Sequence, residues 1–269
     1  MSKISVISLI NEYERRQHID ALFDKYNLDY SYFDAINKSQ VKDILQKYDL
    51  TVNTDRMSLG EVACYLSHYC LWQQVLERDL PYLMVFEDDI YFSKSAKTLL
   101  NNIDWLPDGF DVIKLETMYD RVIINKGTNL LLGHKLCQMQ SRHMGMAGYI
   151  VSQQGVHKLL AMTKKLGIDR PVDHIMFDRL ILDKGSSVHQ VYPALCIQDK
   201  IYNKDSIQFK SELENTRKPL QTRKEKPSGA KKINKELTRV FEQLLPKHMY
   251  YTGWLVIKGY KKQKITYLE

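Results

Sequence analysis

Three consecutive acidic residues end a short apolar run in the first third of the chain. Tyr82 to Phe86 are all apolar, and Glu87, Asp88 and Asp89 follow directly. Such a run predicts a strand that is buried on both faces, as the strands of a parallel sheet are. Neighbouring carboxylates repel one another, and a divalent cation that prefers oxygen ligands, Mg²⁺ or Mn²⁺, offsets this repulsion. The acidic run therefore predicts a cation site at the end of a buried strand.

Several classes of protein place acidic residues directly after a strand. They include phosphatases and nucleases, nucleotidyl or phosphoryl transferases, and sugar-nucleotide transferases whose metal ion bridges the diphosphate. A purely structural acidic turn is the remaining interpretation. The first predicted strand, Ile4–Ile10, has no Asp-x-Asp and so does not favour an aspartyl-phosphate phosphatase. The absence of P-loop, G-x-G-x-x-G and G-x-S-x-G motifs argues against P-loop, dinucleotide-binding and serine-hydrolase sites.

The elements before the acidic run predict a parallel sheet that brings basic residues to the same edge. A strand at Ile4–Ile10, a helix to about Tyr26 and a strand at Leu28–Ile36 form a β-α-β unit with a right-handed crossover. Ligands of such sheets bind at the carboxyl ends of the strands. Arg15 and Arg16 follow the first strand, where a phosphate or nucleotide can bind, although a solvated helix start explains them equally well.

The helix before the acidic strand begins with a capping box. Ser58 and Glu61 have the S-x-x-E spacing, and the helix is predicted to run to about Arg78. Glu61 and His68 share its otherwise apolar face, so both need polar partners. In the non-functional interpretation Glu61 only caps the helix and His68 is a core histidine. The small Gly60 leaves the helix N-terminus open to an anion.

The second half of the chain supplies further candidate acids. Strands are predicted at Asp111–Glu116, at the glycine-bearing stretch Gly145–Val151, and at Ser187–Cys196. Pro171 suits the first turn of another helix, and Asp173 follows it. Asp173 either complements the helix dipole or has a catalytic role, and its position leaves both interpretations open.

Length and composition indicate a globular protein with one large domain, or one domain and a small appendage. The chain has 269 residues, of which 44% are hydrophobic and 26% are charged. No run approaches the roughly 18 apolar residues of a membrane span, and the first residues are too polar for a signal peptide. We therefore expect a cytoplasmic protein. The four cysteines form no C-x-x-C pair, which argues against a zinc site and predicts buried free thiols.

The positive charge is concentrated at the C-terminal end. Residues 217–269 carry 14 Lys or Arg and 4 acidic residues, so their net charge is +10, while the rest of the chain has a net charge of −3. We expect one domain at 1–216, followed by a basic linker and an amphipathic helical extension at 217–269. The extension suits peripheral attachment to the anionic inner membrane, and a helix packed on the body is the alternative. The body has no nucleic-acid motif.

Six stretches in a fixed order resemble glycosyltransferase family 25, the lipooligosaccharide-biosynthesis transferases of Gram-negative bacteria. They are Ile7–Asn11 with Arg15 and Arg16, Phe33–Ile36, Leu59–His68, Val85–Asp89, Gly148–Ser152 and Pro171–Asp173. The resemblance covers roughly residues 4–200, and the tail from Arg217 is outside it. The L-G-E-x-x-C-x-x-S-H pattern of Leu59–His68 together with the Glu-Asp-Asp run makes the resemblance specific.

The resemblance implies an α/β fold of the GT-A type, with a Rossmann-like, mostly parallel sheet flanked by helices. It also implies inverting transfer of a hexose, galactose or glucose, from its UDP form to a hydroxyl of a lipooligosaccharide or lipopolysaccharide glycan, with Mn²⁺ or Mg²⁺ as the cofactor. A non-catalytic sugar-nucleotide or glycan-binding protein and a metal-dependent phosphohydrolase are the alternatives.

The resemblance also assigns roles to residues of the acidic strand end and its surroundings. It assigns metal binding chiefly to Asp89, with Asp88 as a second ligand. His189 or Gln198 is the candidate third ligand. Asp173 is the candidate catalytic base, and Glu116 is its rival. The expected donor-binding residues are Asn11, Arg15, Arg16, Asp34, Ala35, Gly60, Glu61, His68, Glu87 and Asp88.

Overall fold

The computed structural model describes residues 3–209, 255 and 257–269. The strands are β1 (Ile4–Ser8), β2 (Ser31–Asp34), β3 (Tyr82–Glu87), β4 (Ile90–Phe92), β5 (Val112–Lys114), β6 (Glu116–Thr117), β7 (Arg121–Ile124), β8 (Thr128–Asn129), β9 (Lys135–Gln138), β10 (Gly148–Ser152), β11 (Val188–Tyr192), β12 (Cys196–Gln198) and β13 (Lys261–Lys264). The helices are α1 (Tyr13–Tyr26), α2 (Val41–Lys47), α3 (Leu59–Glu77), α4 (Ala96–Asn101), α5 (Gln153–Leu166), α6 (Val172–His174), α7 (Leu180–Leu182) and α8 (Asp199–Tyr202). A 3₁₀ turn at Leu131–Gly133 and a π turn at Ile175–Arg179 complete the set.

An eight-stranded sheet forms the centre of the molecule, in the order β2-β1-β3-β10-β5-β11-β9-β8. The predicted β-α-β opening is present, because β1 pairs in parallel with both β2 and β3. The α/β class is confirmed, but the sheet is mixed rather than mostly parallel. Strand β10 runs antiparallel to both of its neighbours, β3 and β5. The prediction missed this because a strand buried on both faces has the same apolar pattern in either direction.

Strand β3 is buried on both faces, as its apolar run predicts. Leu83 and Val85 belong to one hydrophobic cluster, while Met84 and Phe86 belong to the other. The first cluster includes apolar side chains of α3 and α5, and the second includes those of α1 and α4. This alternation follows from the period of two along a strand. Helices on both faces therefore fix β3, and with it the position of the acidic residues at its end.

A small second sheet covers the acidic end of β3. It has the order β4-β12-β6, and Gln198 at the end of β12 lies opposite Ile90 at the start of β4. The backbone N–H of Asp199 donates to the carbonyl oxygen of Asp89 over 2.7 Å. These contacts bring residues from positions near 200 against the turn that contains Asp88 and Asp89.

The C-terminal end of the chain belongs to the body of the fold. Strand β13 pairs antiparallel with β7, and Ile265 beside it is fully buried. The Thr117 hydroxyl donates to the Ile265 carbonyl over 2.7 Å. The predicted boundary near residue 216, the linker and the apolar stripe of the extension lie outside the described residues. Within the described residues 257–269, Lys261–Lys264 form β13, which is docked on β7. No described helix is both long enough and apolar enough to span a membrane.

Candidate active site

A cleft of about 900 Å³ opens where the carboxyl ends of β1 and β3 meet. Its walls come from the end of β1, the loop after β2, the first turns of α3, the acidic end of β3, the 144–146 loop, the start of α6 and the start of α8. The position agrees with the rule that open α/β sheets bind ligands at the carboxyl ends of their strands.

The three acidic residues of the sequence motif all line this cleft, and each has a defined environment. Asp88 accepts a hydrogen bond of 2.6 Å from Nη1 of Arg15. The Nε2 amide of Gln198 donates to Oε2 of Glu87 over 2.8 Å and to Oδ1 of Asp89 over 3.4 Å. Asp88 and Asp89 are each only 8% exposed. The carboxylates are therefore crowded together, and those of Asp88 and Asp89 are largely shielded from solvent.

This crowding has opposite effects on the pKa values of neighbouring acids. Burial and the negative charge of Glu87 raise the pKa of Asp89 to about 7. Burial also opposes ionisation of Glu87, but His68 and the positive charges of Lys200 and Arg15 outweigh it and lower the pKa of Glu87. The positive charge around Asp89 is thus too small to keep the pKa of its carboxyl in the usual acidic range. A divalent cation would supply that charge, so the residues present fit the expected Mg²⁺ or Mn²⁺.

Buried aromatic residues orient His68, which lies behind Glu87. Nδ1 of His68 lies 2.9 Å from the Tyr149 hydroxyl, and Nε1 of Trp72 donates to the same hydroxyl over 3.1 Å. Nε2 of His68 faces Oε1 of Glu87 at 3.8 Å. His68 is not among the cleft-lining residues, so its place is behind Glu87 rather than against a donor.

Asp173, the candidate base, lines the same cleft as the acidic strand end. Its Oδ2 accepts a hydrogen bond of 3.1 Å from the backbone N–H of Gly145. Its Oδ1 is buried, and no hydrogen-bond donor reaches it among the residues that the structure describes. One carboxylate oxygen is therefore fixed, while the other lies buried at the cleft wall with no hydrogen-bond donor among the described residues.

Glu116, the rival base, lies behind the cleft wall. It is fully buried, and it accepts a hydrogen bond of 2.8 Å from the N–H of Ala147. Nζ of Lys114 is 3.7 Å away. Gly145, with φ of +83°, passes directly in front, since a Cβ there would lie 2.9 Å from both Glu116 oxygens. Burial raises the pKa of Glu116 to about 7. Its placement favours a supporting role over contact with substrate.

Among the predicted donor-binding residues, Arg15 and Ala35 line the cleft, whereas Arg16 and Asp34 do not. Nη2 of Arg16 contacts Oδ1 of Asp34 at 2.5 Å and also donates to the Ser8 carbonyl over 3.1 Å. Arg16 therefore joins the ends of β1 and β2. Adjacent arginines at a helix start point in different directions, and the sequence alone does not show which of the two faces the cleft.

The first turn of α3 faces the cleft, but its carboxylate is already engaged. Gly60 and Glu61 both line the cleft. Oε2 of Glu61 accepts from the backbone N–H and the hydroxyl of Ser58, each over 2.9 Å, which completes the predicted capping box. The capping interpretation of Glu61 is thus confirmed, and its negative charge makes the helix N-terminus less suited to an anion.

Two more predicted residues, Asn11 and His189, lie away from the cleft, and the cleft-lining Lys200 was missed. Asn11 is exposed and is not a lining residue, and neither is His189. His189 pairs with Ile113 inside the sheet, where burial lowers its pKa to about 4. Its assignment as a metal ligand has no support in this position. Lys200 was missed although it lines the cleft, because a lysine in a polar loop carries no distinctive signal.

Comparison with known proteins agrees with the sequence motifs. The model of glycosyltransferase family 25, described as an LPS biosynthesis protein family, matches residues 1–176, which is well over half of the chain. The chain belongs to glycosyltransferase family 25. As a member of family 25 it is a glycosyltransferase, and the matched region contains the acidic strand end, the capped helix and Asp173.

Curated relatives extend over most of the chain. A putative glycosyltransferase of Haemophilus influenzae is 33% identical over 238 residues, covering 87% of this chain and 83% of its own length. The H. influenzae lipooligosaccharide biosynthesis protein lic2B is 31% identical, covering 91% of this chain and 97% of its own length. The lacto-N-neotetraose biosynthesis glycosyltransferase LgtE of Neisseria meningitidis serogroup B is 35% identical, with coverages of 74% and 75%.

Solved structures resemble the chain only distantly. A glycosyltransferase involved in glycosylation of the major capsid of PBCV-1 is 10% identical, with a TM-score of 0.42, and covers 81% of this chain and 98% of its own. The galactosyltransferase LgtC, solved with donor and acceptor sugar analogs, is 10% identical with a TM-score of 0.38, and the coverages are 84% and 97%.

Proposed function

We propose that this family 25 glycosyltransferase transfers a hexose, galactose or glucose, from a UDP-sugar to a hydroxyl of a growing lipooligosaccharide glycan. The names of its relatives, lic2B and LgtE, support this acceptor class. The observation that carries the proposal is the shared cleft: Asp88 and Asp89 line it together with Asp173, whose Oδ1 has no donor among the described residues. A donor-side cation site and a candidate base are thus available to one bound sugar.

The donor side of the cleft suits a diphosphate. Asp89 and Asp88 would hold Mg²⁺ or Mn²⁺, with the side-chain amide of Gln198 positioned beside them. When bound, the cation supplies charge that stabilises the diphosphate as it leaves. Arg15 and Lys200 line the same cleft and add positive potential for the UDP moiety.

The acceptor side of the reaction requires a base. In our proposal, Oδ1 of Asp173 takes the proton of the acceptor hydroxyl, while Oδ2 stays bonded to the Gly145 N–H. The acceptor oxygen forms its bond to the anomeric carbon as the bond from that carbon to the phosphate oxygen breaks. UDP leaves with the bonding electron pair, and one such displacement inverts the anomeric configuration.

The proposal is tested by incubating the full chain with UDP-galactose or UDP-glucose, a lipooligosaccharide acceptor and Mn²⁺. We expect UDP release together with a glycoside product, both of which stop in EDTA. Release of free phosphate without a glycoside would instead indicate a phosphohydrolase. Donor binding without turnover would indicate a non-catalytic sugar-nucleotide-binding protein.

We also propose that the basic C-terminal region holds the enzyme at an anionic membrane surface, close to a lipid-linked acceptor. Residues 217–269 carry a net charge of +10, and Lys261 and Lys262 are exposed on β13. Since β13 is paired with β7, charge reversal is a cleaner test than truncation. Lys261→Glu with Lys262→Glu should reduce co-sedimentation with anionic vesicles, and Lys94→Glu with Lys97→Glu is the control. An equal loss of vesicle binding in both double variants would contradict a membrane-binding surface located at β13.

A further inference from the structure

A sulfur, a nitrogen and an oxygen atom meet at the wall of the cleft. Cys64 and His68 lie one turn apart on α3, and Glu87 ends the neighbouring strand β3. One ligand atom from each side chain lies within 4.8 Å of the other two. We propose that Cys64, His68 and Glu87 bind Zn²⁺, at a position distinct from the Asp88–Asp89 site.

The ring of His68 is oriented as that of a metal ligand would be. The residue is 1% exposed, and its Nδ1 is fixed by the Tyr149 hydroxyl at 2.9 Å. Such a second bond fixes the orientation of metal-binding histidines. Its Nε2 is buried without a hydrogen-bond partner among the described residues, and 3.8 Å to Glu87 is too long for one. A cation here would satisfy that nitrogen, whose burial otherwise costs free energy.

Glu87 is held in the same way, with one oxygen fixed and one facing the site. Gln198 donates to Oε2 over 2.8 Å, so Oε1 faces His68. The Cys64 side chain lines the cleft from the turn of α3 that precedes His68. It is half-buried, whereas the other three cysteines are buried. All three ligands thus come from rigid elements, which hold them in place before a cation arrives.

The chemistry of the three atoms favours zinc. Zn²⁺ binds thiolate sulfur at about 2.3 Å and imidazole or carboxylate at about 2.0–2.2 Å, so tetrahedral neighbours lie roughly 3.3–3.7 Å apart. The three ligand atoms, which lie within 4.8 Å of one another, need to move about 1 Å closer together, and side-chain rotation of Cys64 and Glu87 allows this. A thiolate ligand disfavours Mg²⁺ and Mn²⁺, whereas Asp88 and Asp89 offer only the oxygen that those ions prefer. Three protein ligands leave a fourth position open to the cleft.

Co²⁺ is the spectroscopic probe for this site, because a cobalt–thiolate bond gives a charge-transfer absorption that oxygen ligands do not. We expect the full chain to develop this band with one equivalent of Co²⁺ and to lose it when Zn²⁺ is added. Cys64→Ser should abolish the band. Cys70→Ser, which changes a buried thiol on the same helix, should retain it. Asp89→Ala should also retain it, which separates this site from the proposed magnesium or manganese site.

A second measurement needs no variant. Iodoacetamide should modify Cys64 first, and Zn²⁺ at about 100 times its Kd should slow that modification by roughly 100-fold. Mg²⁺ should leave the rate unchanged. Tyr149→Phe removes the bond that orients His68 and should weaken Zn²⁺ binding at least about tenfold.

Three results would overturn the proposal: no cobalt–thiolate band in the wild-type protein, a band that survives Cys64→Ser, or alkylation of Cys64 that ignores Zn²⁺. Each would indicate that Cys64, His68 and Glu87 lie close together without binding zinc. None of these readouts uses transferase activity, so they stand or fall independently of the proposed function.

Discussion

Replacing Asp173 with asparagine removes the proposed base while keeping the contact that positions the side chain. The amide oxygen of asparagine can still accept from the Gly145 N–H, which lies 3.1 Å from Oδ2 of Asp173. The NH₂ group then takes the place of Oδ1 and cannot accept a proton. General bases contribute about 10²–10⁴-fold to rates, so kcat should fall by that factor, equal to about 2.7–5.4 kcal/mol of barrier.

The assay for Asp173→Asn separates chemistry from binding. UDP release with a lipooligosaccharide acceptor gives kcat, and calorimetry with UDP gives the donor-side Kd, which should be unchanged. Glu116→Gln makes the same chemical change behind the cleft wall, and it should lower kcat far less. A near wild-type kcat in Asp173→Asn would refute the assignment. A larger loss in Glu116→Gln would transfer the role to Glu116.

Three further predictions address the cation site, the buried acid and the core. Asp89→Ala should remove most of the metal-dependent rate, a loss of several kcal/mol of transition-state stabilisation, and activity that persists in EDTA would contradict this. Burial raises the pKa of Glu116 from 4.5 to about 7, so the folded state keeps a proton that the unfolded chain has lost. The free energy of unfolding should therefore fall by roughly 3 kcal/mol as pH rises through that window. Urea titrations should show that the stability of Glu116→Gln depends less on pH than that of the wild-type protein. Parallel plots of stability against pH for the two proteins would contradict the raised pKa of Glu116. Gly155→Ala would place a Cβ 2.1 Å from the Asp111 carbonyl oxygen. Thermal denaturation should therefore show that the free energy of unfolding falls by at least about 2 kcal/mol, and an unchanged stability would contradict this close backbone contact.

Local patterns predicted the parts of the site that depend on neighbouring residues. The apolar run before Glu87 indicated a strand buried on both faces, and β3 is such a strand. The S-x-x-E spacing of Ser58 and Glu61 indicated a capping box, which is present. In both cases the signal lies within a few residues, where steric and hydrogen-bonding preferences act directly.

The contacts that the sequence did not reveal join distant parts of the chain. Gln198 reaches Glu87 because β12 pairs with β4, and nothing in the sequence specifies that pairing. Strand β13 completes a sheet with β7 across more than a hundred residues, although composition alone suggested an extension. The Cys64–His68–Glu87 cluster escaped notice for the same reason. Its third ligand comes from another element, and a search for C-x-x-C pairs does not detect a Cys and a His one helical turn apart.

The anomeric configuration of the product tests the central claim most directly. The donor, UDP-galactose or UDP-glucose, carries an α-linked sugar, so a single displacement must give a β-glycoside. We predict that NMR of the product formed with Mn²⁺ shows one new β-linked hexose on the lipooligosaccharide acceptor, and that none forms in EDTA. An α-linked product, or the same product formed without a divalent cation, would contradict inverting, metal-dependent transfer.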